Sequence, residues 1–226
     1  MPLAQFDNIV PFTLKYEGGL SRAKTDYASK YPSPYTYNGK TGWHTNKGVT
    51  YATFEKLAPV LKYKNNAENF LTMPMSIWRP IAKTGYWDKI KLDTLKSQAV
   101  ANILFSFMWG SGYAWLPRIS RYLKSKGIEY TGAYYKDKKL IIAKDLNTIA
   151  AKFNQLIDKQ GEQKTFDELI KQKEDYLKAL NQPANLPGWL KRLDALKTES
   201  MKFIQNAGLS TFALLIIGLT VYAVLK

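Results

Sequence analysis

The chain has 226 residues, enough for one or two compact units with a substantial buried core. It contains no cysteine, which excludes disulfides and thiolate metal sites, and its single histidine excludes any metal site that needs two or more histidine ligands. The 33 basic and 18 acidic residues give a net charge of +15, which favours polyanionic partners such as nucleic acid, anionic lipid or the acidic polymers of a bacterial envelope.

The first element is a helical pattern of apolar residues from Phe6 to Tyr16, which stops at Glu17-Gly18-Gly19. Glycine directly after a helix is a frequent stop signal because it adopts a left-handed turn at no steric cost. We therefore expect Glu17 at the last helical position, where backbone carbonyls and the negative end of the helix dipole disfavour another negative charge. A carboxyl group in that place should keep its proton, as a general acid requires.

A second carboxyl group, that of Asp26, follows the glycine pair. Because glycines let the chain turn, the carboxyl groups of Glu17 and Asp26 can face each other across a cleft. Further along, runs rich in Tyr, Thr and Trp flank Asn38-Gly39, a strong hairpin signal. We predict a small β region over residues 20–45 as one wall of the cleft, with an ordered loop as the alternative.

The rest of the chain up to residue 205 is predicted to be mainly helical. Thr50 should cap a helix through about Leu61, and prolines break the following residues into short helices up to Ile90. The apolar residues of 93–112 are too numerous for one face, so we expect a central helix that is surrounded on most sides. Further helices are predicted over 115–126, 144–159, 165–182 and 186–205, with a hairpin or a long basic loop at 134–140.

The C-terminal segment differs in composition, because residues 209–225 are almost wholly apolar. At about 1.5 Å per residue they span roughly 25 Å, and the preceding uncharged residues make the segment long enough for a bilayer core of about 30 Å. We therefore predict a transmembrane helix at 203–226 as a membrane anchor, the alternative being a tail buried in an oligomer or particle. Basic residues before the span favour a cytoplasmic position for the rest of the chain. The N-terminus lacks the pattern of a secretory signal.

One spaced pattern joins Glu17-Gly18-Gly19, Asp26 and the run Thr45-Asn46-Lys47-Gly48-Val49-Thr50-Tyr51. This pattern resembles the N-terminal signature of glycoside hydrolase family 108, lysozyme-like N-acetylmuramidases of bacteria and their phages. The resemblance implies that Glu17 is the catalytic acid and that Asp26 and Thr45 match supporting positions. Residues 31–40 stand in place of the short glycine-rich link usual in the family.

Later runs resemble the peptidoglycan-binding region that follows in this family, so that the resemblance covers about residues 6–196. It implies a mainly α fold with a small β-hairpin region (α+β, lysozyme-like), to which we add the C-terminal transmembrane helix. The predicted organisation is a catalytic lobe at 1–92 with its β region at 20–45, a helical lobe at 93–200 and a membrane-spanning tail at 203–226. The runs are Tyr86-Trp87-Asp88, Gln98-Ala99-Val100-Ala101-Asn102-Ile103-Leu104, Trp109-Gly110-Ser111-Gly112 and Gly188-Trp189-Leu190-Lys191-Arg192.

The resemblance implies a peptidoglycan hydrolase that cleaves the β-1,4 bond between N-acetylmuramic acid and N-acetylglucosamine, of the phage endolysin or virion-associated type. It implies no metal and no cofactor, and no nucleic-acid motif is present. The expected localisation is membrane anchorage through 209–225 with action on the bacterial cell wall, or association with a virion. The alternatives are a lytic transglycosylase and a non-catalytic, tail-anchored module that binds the cell wall.

Within the site, two residues have open roles. Asp26 is either a base or oxocarbenium stabiliser, or a residue that caps a loop. Thr45 either holds the attacking water through its hydroxyl or caps the following segment.

Five further residues are candidates for substrate binding. Tyr35, Tyr37 and Trp43 have rings that suit the apolar faces of sugars, the alternative being cross-strand pairs of a hairpin. His44 and Asn46 lie beside Thr45 and are expected to contact substrate through polar groups, although a lone histidine is more often structural.

Overall fold

The computed structural model describes residues 3–204, which are mainly helical with two small antiparallel sheets. They form two compact units. One unit is Phe6–Ile90, and the other combines residues 3–5 with residues 91–204.

The first unit, Phe6–Ile90, contains four short α-helices and one two-stranded sheet. Three-residue to five-residue helical turns extend or connect them at Phe6–Asn8, Tyr27–Lys30, Lys83–Trp87 and Asp88–Ile90. The regular elements are α1 Val10–Tyr16, β1 Thr45–Asn46, β2 Val49–Thr50, α2 Tyr51–Val60, α3 Ala67–Thr72 and α4 Met75–Ala82.

The hairpin of β1 and β2 leads directly into α2. Its two-residue turn consists of Lys47 and Gly48, both with positive φ, as a tight hairpin turn requires. Thr50 ends β2 and is also the N-cap of α2, since its side chain accepts the Thr53 N–H. The predicted cap is therefore confirmed. Fully buried rings of α2, α3 and α4 form the core beneath it: Phe54, Phe70 and Trp78.

The second unit is built around one long helix. A helical turn at Leu92–Thr94 precedes it and another at Leu146–Thr148 follows. The regular elements are α5 Gln98–Ser111, α6 Leu116–Ser125, β3 Ala133–Lys136, β4 Lys139–Ile142, α7 Ile149–Gln160, α8 Glu162–Ala179 and α9, residues 186–204.

The central helix α5 is buried on most of its circumference, as the sequence predicts. Ten of its residues are buried, and two of these ten, Gln98 and Asn102, are polar. These two bond to each other at 2.8 Å, and Asn102 donates to Ser200 of α9 at 3.1 Å. The helix begins later than predicted, because Ser97 caps it by accepting the Val100 N–H.

The pKa values of Glu168 and Lys173 in this unit are strongly lowered. Burial would raise the pKa of Glu168, but hydrogen bonds from Lys126, Gln160 and Tyr122 and the charge of Lys126 lower it to about 2. Burial and the charge of Arg192 hold the pKa of Lys173 well below its usual value.

One prediction about the β structure needs correction, and another is confirmed. The predicted β region at 20–45 is largely loop, in which Ser21 forms an isolated bridge to Thr45 and Tyr37 forms one to Lys40. The Asn38-Gly39 turn does form, with positive φ at both residues, but it closes a single bridge. A second sheet, β3 paired with β4, confirms the hairpin among the two alternatives predicted for 134–140.

The predicted fold class is wrong in including a membrane-spanning helix. Among residues 3–204, no helix is both long enough and apolar enough to cross a membrane. The observed class is mainly helical with two small sheets. Most of the predicted span at 203–226, with its apolar part 209–225, lies outside the described residues. The predicted localisation by a membrane anchor is wrong on the same finding.

Candidate active site

Glu17 lies one residue beyond the end of α1. Its backbone is extended, with φ −91° and ψ 128°, while its N–H still donates to the Thr13 carbonyl at 3.0 Å. Its side chain is half-buried. Neither Gly18 nor Gly19 has positive φ, so the left-handed turn expected of them is wrong. The helix ends instead because Glu17 itself becomes extended, which leaves its carboxyl group at the C-terminal end of the helix dipole.

Asp26 begins the helical turn Tyr27–Lys30. Its Oδ1 accepts the Ala28 N–H at 3.0 Å, the bond of a capping aspartate. Its other oxygen, Oδ2, lies 4.0 Å from Nδ1 of His44, and 46% of its side-chain surface is exposed. Asp26 therefore caps the loop and also presents a carboxylate oxygen beside the buried ring.

Thr45 and His44 stand side by side at the start of β1. The Thr45 hydroxyl oxygen lies 2.9 Å from Nδ1 of His44, and Nε2 of the ring lies 3.1 Å from the Ala23 carbonyl oxygen. The ring is fully buried, whereas Thr45 is half-buried. The structure thus gathers the Asp26 carboxylate and the Thr45 hydroxyl about one imidazole nitrogen.

Residues of the β1–β2 hairpin hold this region in place. Asn46 is buried, and its amide donates to the carbonyls of Phe70 and Leu71, each at 2.8 Å. Lys47 donates to the Met73 carbonyl at 2.8 Å. The hairpin is therefore tied to the C-terminal end of α3. Asn46 and His44 both make their polar contacts inside the protein, so substrate binding by either side chain stays a prediction.

The three aromatic candidates differ in their surroundings. The Tyr35 ring packs edge-on against Tyr51 at 5.7 Å, and its hydroxyl donates to Asn65 at 3.0 Å. Burial and the neighbouring Tyr51 raise the pKa of Tyr35 to about 12. Tyr37 and Trp43 meet edge to face at 6.1 Å and remain accessible. Both rings of this pair are accessible to a sugar, whereas the half-buried Tyr35 ring packs against the buried rings of Tyr51 and Phe70.

Two exposed tyrosines were missed by the sequence reasoning. Tyr27 begins the helical turn that follows Asp26 and Tyr31 comes directly after it, and 71% and 60% of their surfaces are accessible. The Lys30 ammonium lies 4.4 Å from the Tyr27 ring centroid. Their closeness to Asp26 in the sequence could have indicated that they lie near the candidate site.

Among residues 3–204, no group of three or more His, Asp or Glu side chains is arranged to hold a metal ion.

Comparison with known proteins finds a family match over part of the chain. The family described as Glycosyl hydrolase 108 matches residues 10–112, a range that contains Glu17, Asp26 and Thr45. No curated protein matches the sequence. The solved structure of Brucella abortus SagA is similar, with 22% sequence identity, a TM-score of 0.56, and coverage of 88% of this chain and 94% of that chain. At that identity the likeness shows a shared fold. The resemblance read from the sequence is confirmed over residues 10–112, which match the glycosyl hydrolase 108 family, and this domain marks the chain as a glycoside hydrolase.

Proposed function

We propose that the chain hydrolyses the β-1,4 bond between N-acetylmuramic acid and N-acetylglucosamine in peptidoglycan, with Glu17 as general acid. The observation that carries the proposal is the meeting of the Asp26 carboxylate and the Thr45 hydroxyl about His44, within the matched range that also holds Glu17. A glycosidase needs one carboxyl group to protonate the leaving oxygen and a second group to serve the anomeric carbon.

Glu17 supplies the proton in this mechanism. Its carboxyl group protonates the glycosidic oxygen as the bond to the anomeric carbon breaks, and the bonding electron pair leaves with that oxygen. Its half-buried place directly after α1, within the matched range, supports the role.

Asp26 and Thr45 serve the opposite side of the reacting sugar. Water attacks the anomeric carbon, and its proton passes to a carboxylate, so that one water molecule is consumed for each bond cleaved. The exposed Oδ2 of Asp26 and the half-buried Thr45 hydroxyl are both accessible from solvent. A direct attack of Asp26 on the anomeric carbon is the other chemistry open to this carboxylate.

Substrate binding is assigned to accessible aromatic rings and basic charge. Trp43 and Tyr37 offer faces for sugar stacking, and the Arg22 guanidinium lies 5.5 Å from the Trp43 ring centroid. The net charge of +15 favours the acidic polymers of a bacterial envelope.

The test compares Glu17→Gln with wild type on purified cell walls, followed by loss of turbidity. We expect the rate to fall by about 10²-fold to 10⁴-fold, the usual contribution of a general acid. Glu68→Gln is the matched control, since Glu68 is exposed on α3 of the same unit. Wild-type lysis by Glu17→Gln would exclude Glu17 as the acid.

Product analysis identifies the bond and the reaction. After borohydride reduction, mass spectrometry should find reduced N-acetylmuramic acid at the new chain ends. Reduced N-acetylglucosamine would assign the other glycosidic bond, and anhydro sugar ends would indicate a lytic transglycosylase.

A further inference from the structure

The single histidine of the chain is held rigidly beside the candidate site. His44 has a fully buried side chain, its backbone N–H donates to the Ser21 carbonyl at 3.0 Å, and its carbonyl accepts the Tyr51 N–H at 2.7 Å. The ring is thus fixed in the protein interior. Its effect on the reaction must pass through the groups that it contacts.

The contacts of the ring determine where its proton sits. Nε2 lies 3.1 Å from the Ala23 carbonyl oxygen, which can only accept, so Nε2 carries the hydrogen. In the neutral ring Nδ1 is then an acceptor. Its partner at 2.9 Å is the Thr45 hydroxyl, which must donate.

We infer that His44 is a positioning residue that turns the Thr45 O–H inward, so that the Thr45 oxygen accepts a hydrogen bond from the attacking water. This inference rests on the proposed function. A hydroxyl whose hydrogen is bound to Nδ1 retains its lone pairs for another donor. Water held through one of its hydrogens keeps an oxygen lone pair for the anomeric carbon.

Asp26 completes the arrangement from another loop. Its Oδ2 lies 4.0 Å from the same Nδ1, and among residues 3–204 it is the carboxylate within ion-pair distance of the ring. Because Oδ1 is engaged by the Ala28 N–H, the carboxylate keeps Oδ2 on the side of His44. The Thr45 oxygen and the negative Oδ2 of Asp26 thus both lie beside the same ring nitrogen, where both can serve the incoming water.

The first test is nuclear magnetic resonance of the imidazole nitrogens, which needs no residue assignment because the chain has one histidine. At a pH where the ring is neutral, we expect the tautomer with hydrogen on Nε2. Thr45→Val should shift the Nδ1 resonance and leave Nε2 nearly unchanged, since only the bond to the hydroxyl is lost. The inference would be overturned if the hydrogen were found on Nδ1. It would also be overturned if Thr45→Val left the Nδ1 resonance unchanged.

The second test separates the two ring nitrogens by substitution. An asparagine amide reaches the place of Nδ1 and can accept from Thr45, whereas a glutamine amide reaches the place of Nε2 and can donate to Ala23. On soluble peptidoglycan fragments, His44→Asn should keep kcat near wild type. His44→Gln should lower kcat by about tenfold at similar KM, the effect of one lost hydrogen bond of about 1.4 kcal/mol.

Controls separate positioning from stability. Phe54→Leu removes volume from the fully buried core of the same unit and should lower the melting temperature without the selective loss of kcat. Equal kcat for His44→Asn and His44→Gln, with melting temperatures lowered as in Phe54→Leu, would assign His44 a structural role. Wild-type activity of Glu17→Gln would instead contradict the proposed function. The nuclear magnetic resonance result on the hydrogen bond between His44 and Thr45 would remain valid.

Discussion

Asp26 and His44 approach through one carboxylate oxygen, with Oδ2 of the aspartate 4.0 Å from Nδ1 of the ring. The other oxygen of the same carboxylate accepts the Ala28 N–H at 3.0 Å. The two roles left open for Asp26 in the sequence, loop cap and site residue, are therefore spatially compatible. One oxygen shapes the loop, and the other is available to the reaction that we propose.

Asp26→Asn separates these two roles. The amide oxygen of asparagine can still accept the Ala28 N–H, so we expect the melting temperature to stay close to wild type. The variant loses the negative charge, and turnover on peptidoglycan should fall by about 10²-fold or more.

Asp26→Ala is the control for that experiment, because it loses both the cap and the charge. It should lose activity to a similar extent and also cost about 1 kcal/mol of unfolding free energy. Wild-type turnover by Asp26→Asn would show that the reaction makes no use of the charge.

Gly48 is required by the hairpin turn that places Thr45. Its φ is +77°, a conformation that disfavours a Cβ. Gly48→Ala should reduce the free energy of unfolding by about 1 kcal/mol, measured by denaturant titration. Gly19→Ala is the matched variant: its φ is not positive and an added Cβ meets nothing within 4 Å. An equal loss in both would contradict the assignment of the effect to backbone strain.

Glu168 contributes stability that depends on pH. Its pKa is lowered from 4.5 to about 2, so the folded state binds this proton less readily than the unfolded state. The contribution is complete above pH 4.5 and is lost as the pH falls towards 2. Glu168→Gln should therefore flatten the dependence of unfolding free energy on pH between pH 2 and 4.5. At pH 7 it should reduce the unfolding free energy by on the order of 1–2 kcal/mol, after allowance for partial exposure.

Glu129→Gln is the control for Glu168, since Glu129 is an exposed glutamate of the same unit. Thermal unfolding from pH 2 to pH 7 measures both variants. A parallel profile for Glu168→Gln and wild type would refute the role of the Lys126, Tyr122 and Gln160 contacts.

Lys173, in contrast to Glu168, lowers the stability of the folded state at neutral pH. Its amino group is buried, donates to Ser106 at 2.8 Å and lies 4.6 Å from the Phe107 ring centroid. Because burial and Arg192 lower its pKa, the unfolded chain binds the proton more readily, and stability should rise with pH up to about 10.5. Lys173→Met should flatten that rise and stabilise the protein at pH 7 by about 1 kcal/mol or more.

The exposed Lys171 on the same helix provides the comparison, with 73% of its side chain accessible. Lys171→Met should change the melting temperature little. Destabilisation by Lys173→Met would show that the buried amino group is needed as a charged partner.

Local signals in the sequence predicted the elements whose stabilising contacts lie close along the chain. Thr50 caps α2 through a residue three positions away, and Asn38-Gly39 forms the predicted tight turn. The central helix was predicted because the apolar residues of 93–112 exceed what one exposed face allows. Family resemblance identified the range that contains Glu17, Asp26 and Thr45.

The tertiary structure decided those contacts whose two partners lie far apart in the sequence. His44 receives its tautomer from Ala23, which lies 21 positions earlier, and Asn102 finds Ser200, which lies 98 positions later. No local sequence pattern predicts such pairs, because each of these polar side chains could equally well be exposed to water. By itself the sequence determined most of the helices and the turn, since these follow from local backbone preference, and its residue spacing gave the resemblance over residues 10–112. Only folding gathered Asp26, His44 and Thr45 about one nitrogen, because burial of the imidazole requires that its polar atoms find partners within the protein.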